Sequence, residues 1–128
     1  MKDLKNKVVV ITGVGSGIGR ALAVAFSKYD VKLALNDIDQ SNLNETIGLC
    51  NGEAGNIFNY SFDVSSKEDW KKFREEVIKE YGHVDIVINN AGVALGNYTI
   101  DEVSLEDFEW LMGINFWGMV YGLSLIHI

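Results

Sequence analysis

Four short apolar runs recur along the chain, each followed by a segment of helical period, and this alternation constrains the fold more than any other feature. Residues 8–11 read Val-Val-Val-Ile, bounded by Lys7 and by Thr12-Gly13. A continuous β-branched run of this length reads as a strand covered on both faces, as in a parallel sheet. Residues 31–35 give a second strand that ends at Asn36-Asp37. Residues 57–62 give a third, followed by Asp63-Val64-Ser65, and residues 84–88 a fourth, apolar except for Asp85.

The intervening segments carry helix signals. Ile18, Leu22, Ala25 and Phe26 mark one face of a first helix. A second is expected over residues 40–49, ended by Gly48 and the Asn51-Gly52 pair. Ser65 and Ser66 precede Glu68 and Asp69 in a capping-box pattern, ahead of a helix with Trp70, Phe73, Val77 and Tyr81 on one face. Ser104 and Asp107 open a last helix, whose stripe holds Leu105, Phe108, Met112, Asn115, Phe116 and Met119. The order βαβαβαβα makes the expected fold class α/β, a doubly wound parallel sheet with helical crossovers.

The length of 128 residues suits one domain. With 18 acids against 11 bases the net charge is -7, which argues against nucleic acid or an anionic membrane as partner. No apolar run is long enough to span a bilayer, and no signal segment opens the chain. The one cysteine, Cys50, cannot form an internal disulfide, so a reducing, cytoplasmic setting is expected. Two histidines and one cysteine, widely spaced, give no zinc-site pattern, and no metal is expected.

The segment Thr12-Gly13-Val14-Gly15-Ser16-Gly17-Ile18-Gly19 joins the first strand to the first helix. Glycines there permit a tight turn and close approach of backbone to a ligand. The free N–H groups of the helix start favour an anion such as a pyrophosphate. The spacing is not G-x-G-x-x-G, because Ile18 or Arg20 falls at the third glycine. Nor is it a phosphate loop, which needs a Gly-Lys pair. It is T-G-x-x-x-G-x-G. A glycine turn that serves packing alone is the competing account.

Taken with three further motifs, this loop resembles that of the short-chain dehydrogenase/reductase family, in its non-extended branch. Asn89-Asn90-Ala91-Gly92 is similar to the family's N-N-A-G motif, Asp63-Val64 to its adenine-side pair, and Asn115 to its active-site asparagine. The likeness runs from about Lys5 to Gly122. It implies an incomplete Rossmann-type sheet of strand order 3-2-1-4. It also implies hydride transfer between a nicotinamide cofactor and an alcohol or ketone substrate, in a parent protein that is commonly a homo-oligomer.

The resemblance assigns residue roles. Gly13, Gly17 and Gly19 admit the pyrophosphate, with the Ile18 amide towards it and Ser16 beside the adenosine ribose or phosphate. Asp63 and the Val64 amide meet adenine. Asn89, Ala91 and Gly92 pass under the ribose on the nicotinamide side. Thr12 ties the glycine loop to the N-N-A-G strand, unless it is a simple strand-end hydroxyl. Asn115 bends its helix through a side-chain-to-backbone bond and holds a relay water. Asp37 stands where a ribose-binding acid is expected, roughly 20 residues past the loop. Such a carboxylate would repel a 2′-phosphate, since two unit charges about 4 Å apart at an effective dielectric near 20 interact by about 4 kcal/mol. With Ile38 and Ser16 where a base would otherwise sit, NAD is favoured over NADP. The alternative is that Asp37 caps the next helix and Asp39 does the recognition.

The sequence also departs from the family. The residues four positions after Tyr29, Tyr60, Tyr81, Tyr98 and Tyr121 are Leu33, Val64, Asp85, Glu102 and Leu125. No Tyr-x-x-x-Lys pair occurs, so the general acid/base of the family is missing from these residues and Asn115 alone represents the catalytic set. The tail from Leu123 does not continue the helix pattern. Residues 1–122 are therefore expected to be the cofactor-binding unit and 123–128 a non-native tail, with a real apolar strand or helix end as the rival. Two other functional classes compete: a non-catalytic nucleotide-binding module, and a flavodoxin-like binder, against which the N-N-A-G segment and the loop spacing count.

Overall fold

The computed structural model describes residues 3–51, 56–125 and 127; of the tail, Ile126 and Ile128 lie outside the described residues, as does Gly52 of the Asn51-Gly52 pair. Strands β1 (Lys7–Thr12), β2 (Val31–Asn36), β3 (Ile57–Asn59) and β4 (Ile86–Ile88) form a parallel sheet in the order β3-β2-β1-β4. Helices α1 (Gly17–Phe26), α2 (Gln40–Leu49) and α3 (Lys67–Tyr81) alternate with them. After β4 come α4 (Leu105–Met112), a π-helical turn (Gly113–Trp117) and α5 (Gly118–Leu123). Among the described residues no helix is long and apolar enough to cross a membrane.

Strand parity divides the core in two. Val9, Ile11, Leu33 and Leu35 face one side with Ala23 of α1 and Leu43 of α2. Val8, Val10 and Ala34 face the other, with Trp70, Phe73, Val77 and Tyr81 of α3 and Ile114 of the π turn. Both faces of β1 are thus covered, as its unbroken apolar run requires. Leu125, beyond the end of α5, is buried in the second cluster.

Local signals fixed the helix starts. Ser66 accepts from the Asp69 N–H at 3.2 Å and Ser104 from the Asp107 N–H at 3.0 Å. α2 has the expected bounds, with Gly48 inside it rather than ending it.

Four further expectations are corrected. The third strand pairs only over Ile57–Asn59, because beyond it the Asn36 side chain, not a strand, takes the carbonyls of Tyr60 and Phe62. The fourth strand likewise spans only Ile86–Ile88. On α1, Leu22 and Phe26 pack against the core as expected, but the fully buried residues are Gly19 and Ala23, while Ile18 and Ala25 are exposed; the first turn borders the glycine loop and turns Ile18 outward. On the last helical stretch the sheet-facing residues are Ile114, Gly118 and Gly122, whereas Leu105, Phe108, Phe116 and Met119 of the expected stripe are exposed. The extra residue of the π turn rotates the buried face. Glycine then allows contact, since a Cβ at Gly118 would lie 2.9 Å from Val64 Cγ2.

Candidate functional site

A cleft of about 470 Å³ opens at the carboxyl ends of β1, β2 and β4. Ligands bind there in open α/β sheets, where strand order reverses around the first strand. The cleft gathers Gly13, Ser16, Gly17, Ile18, Asp37, Ile38, Asp63, Val64, Ala91 and Gly92, ten of the residues expected from sequence. It collects two carboxylates and no basic side chain.

The glycine loop is built for close backbone approach. Gly13 and Gly17 have φ of 67° and 52°, a region that disfavours other residues. A Cβ at Gly13 would lie 2.8 Å from Ala91 Cα, and one at Gly19 would run into the Gly13 carbonyl and the Asn90 amide. Ser16 is the exposed N-cap of α1, and its side chain makes no capping bond.

Thr12 is buried and joins the loop to the fourth strand: its Oγ1 accepts from the N–H groups of Asn90 and Ala91, each at 3.1 Å. Asn90, which sequence reasoning passed over, completes the joint. Its Nδ2 donates to the carbonyls of Thr12 and Gly13, both at 3.0 Å. The doubled asparagine just past β4 was the available signal, and its two side chains take different directions. Accordingly Asn89 points away from the cleft, donating to the Met119 carbonyl at 3.4 Å.

At the other end, Asp37 accepts from the Gly15 N–H at 2.7 Å through Oδ2 and from the Asp39 N–H at 2.9 Å through Oδ1. Asp39 caps α2, accepting from the Asn42 N–H at 2.8 Å. The alternative in which Asp37 is the cap is thereby removed. Asp63 accepts from the Ser65 N–H at 2.9 Å and from its hydroxyl at 2.8 Å, which orients the carboxylate at the cleft wall. The Val64 carbonyl takes the Trp70 indole N–H at 2.8 Å. Ile18 and Ile38, 73% and 68% exposed, are apolar surfaces at the cleft.

Asn115 stands behind the cleft rather than in its lining. It sits in the π turn and bonds to the backbone of Val93, which does line the cleft. Sequence reasoning also missed Asn36, Val93, Trp110 and Ile114. Asn36 was visible only as a polar residue ending an apolar run. Its buried Oδ1 has no hydrogen-bond partner among the described residues, so the site retains one unused acceptor. No group of three His, Cys, Asp or Glu side chains among the described residues is placed to hold a metal ion.

The short chain dehydrogenase family model matches residues 7–126 of the chain. The chain belongs to this family. An uncharacterised oxidoreductase of Thermotoga maritima is 40% identical over 117 residues, 88% of this chain and 44% of that protein. The crystal structure of a short-chain dehydrogenase/reductase of Burkholderia phymatum in complex with NAD matches with a TM-score of 0.89 and 32% identity, over 98% of this chain and 44% of the other. That of 3-ketoacyl-(acyl-carrier-protein) reductase of Brucella melitensis, complexed with NADH, matches with 0.87 and 30%, over 95% and 49%. The chain spans less than half the length of each of these relatives.

Proposed function

We propose that the chain is the cofactor-binding part of an oxidoreductase that uses NAD(H) in preference to NADP(H) and acts on an alcohol or carbonyl substrate. The observation that carries this reading is the Asp37 carboxylate, held at the cleft by two N–H groups, with Ser16 and Ile38 beside it and no basic side chain in the lining. A carboxylate accepts from both hydroxyls of a ribose and disfavours a 2′-phosphate.

The residues present fit a dinucleotide. The loop leaves no room for a side chain at Gly13 or Gly19, takes a left-handed turn at Gly17, and exposes the start of α1, which suits a pyrophosphate. Ile18, Ile38 and Asp63 would hold the adenine end; Ala91 and Gly92 would border the nicotinamide ribose. When bound, the nicotinamide accepts or donates a hydride. Thr12, Asn90 and Asn115 bind no ligand in this reading; they keep the loops on either side of the cleft at fixed separation.

Fluorescence titration with NADH and NADPH tests the reading. NADH is expected to bind the more tightly, and Asp37→Ala to narrow the difference by about tenfold, the scale of one lost charge-assisted hydrogen bond. Equal or better affinity for NADPH overturns the preference. The 128 residues contain no Tyr-x-x-x-Lys. Incubated with alcohols and NAD they should form no NADH above a buffer blank, and turnover would show that another group supplies the acid/base.

A further inference from the structure

The glycine loop is held from behind, on the side away from the cleft, by hydrogen bonds that end on Asp37. We propose that Arg20 and Thr46 are positioning residues that set the aim of the Asp37 carboxylate, and through it the discrimination between a nucleotide with a free adenosine 2′-hydroxyl and one with a 2′-phosphate. This rests on the reading of the cleft given above.

Three bonds run head to tail. Arg20 Nε donates to Thr46 Oγ1 at 3.0 Å. Thr46 Oγ1 donates to the Val14 carbonyl at 2.8 Å. The same Val14–Gly15 peptide group presents the Gly15 N–H, which donates to Asp37 Oδ2 at 2.7 Å. Each donor points the same way, from a guanidinium through a hydroxyl and a peptide to a carboxylate. Bonds aligned in this manner polarise one another and strengthen together.

A second arm fixes the next peptide, because Arg20 Nη2 donates to the Gly15 carbonyl. Glu45 accepts from Arg20 Nη1 at 3.1 Å and holds the guanidinium from the solvent side. The Arg20 side chain does not line the cleft, so it acts on Asp37 through the loop.

The coupling between loop and carboxylate is close. A Cβ placed on Gly15 would lie 2.6 Å from the Asp37 carboxyl carbon. A shift of the Val14–Gly15 peptide therefore moves the carboxylate. Asp37 takes one backbone N–H on each oxygen, which restrains its rotation and leaves acceptor capacity on both oxygens for a vicinal diol. Thr46 is fully buried, so its hydroxyl requires partners; the other acceptor in reach is the Asn42 carbonyl at 3.1 Å. Valine at 46 would keep the shape, leave the Val14 carbonyl and Arg20 Nε without that partner, and free the peptide to rotate.

The test is titration with NADH and with NADPH, followed by tryptophan fluorescence, for the wild type, Thr46→Val, Thr46→Ser and Arg20→Met. Thr46→Val should weaken NADH binding by about tenfold and change NADPH binding by less than about twofold, so that the preference falls. Thr46→Ser, which keeps the hydroxyl, should return the ratio to within about twofold of wild type. Arg20→Met should shift the ratio in the same direction, and it decides the matter if Thr46→Val lacks a cooperative melt; Met keeps helix propensity in α1. An unchanged ratio in the folded variants, or equal losses for both nucleotides, overturns the proposal while leaving the NAD reading in place. Failure of the wild type to bind NADH overturns that reading and this proposal with it.

Discussion

Asn115 grips both backbone groups of Val93: its Oδ1 accepts the Val93 N–H at 2.8 Å and its Nδ2 donates to the Val93 carbonyl at 2.7 Å. The π turn at Gly113–Trp117 is thereby tied to the segment after Asn89-Asn90-Ala91-Gly92. An amide offers a donor and an acceptor side by side in this way, which an ionised carboxylate does not. Asn115→Ala should cost about 1–3 kcal/mol, as expected for partly buried groups left without partners. Asn115→Asp should also destabilise, because it keeps the bond to the N–H but sets a carboxylate oxygen against a carbonyl. Urea unfolding of both variants checks this, and wild-type stability in Asn115→Asp would rule out the two-bond account.

Two glycines predict opposite signs. Alanine at Gly19 would drive a methyl into the Gly13 carbonyl, and Asn90 Nδ2 would lie only 2.6 Å away. Backbone cannot yield there, so Gly19→Ala should destabilise by about 2 kcal/mol or more. Gly48 is an exposed helical residue of α2 with nothing within 4 Å of an added Cβ. Gly48→Ala should therefore stabilise by about 0.5–1 kcal/mol. Thermal melts of the pair, run side by side, read both signs.

Acid should weaken the fold at the end of the sheet opposite the cleft. Burial raises the Asp85 pKa, but bonds from the Val8 N–H at 2.8 Å and the Lys7 ammonium at 3.0 Å, with the charges of His83 and Lys7, outweigh it and hold the carboxyl below its ordinary value. A folded pKa below the unfolded one means that the contribution is present above the ordinary carboxylate range near 4. It is lost as pH falls through the lowered folded value. Asp85→Asn should flatten that part of the stability-versus-pH curve; a curve parallel to wild type in that range would show that Asp85 contributes nothing to the acid transition.

Self-association is the fourth expectation. Phe116, Trp117, Met119, Val120 and Leu123 are exposed along the π turn and α5, and Phe108 and Trp110 along α4. Phe116 and Trp117 meet edge to face, with ring centroids 5.3 Å apart. Exposed apolar side chains in this number along consecutive helical turns favour association. Light scattering after size exclusion should give a mass that rises with concentration, and Phe116→Ser with Trp117→Ser should lower it. A concentration-independent monomer would refute the expectation.

The sequence by itself determined what depends on neighbours along the chain. The strand runs at 8–11 and 31–35, the caps at Ser66 and Ser104, the α3 face of Trp70, Phe73, Val77 and Tyr81, and the glycine loop all rest on local periodicity or spacing. The motif order implied the family, and the family implied the strand order. Tertiary structure alone decided the rest. Asn90 meets Thr12 and Gly13 across separations of 78 and 77 residues, and no local pattern encodes such a bond. The division of labour between Asp37 and Asp39 turned on where the Gly15 N–H lies after the chain has crossed the sheet. The face of the last helix was misread because one extra residue in the π turn, together with contacts of Gly118 and Gly122 to distant Val64 and Asn89, sets its phase. Local composition states which faces can be buried; long-range hydrogen bonds and close packing select the one that is.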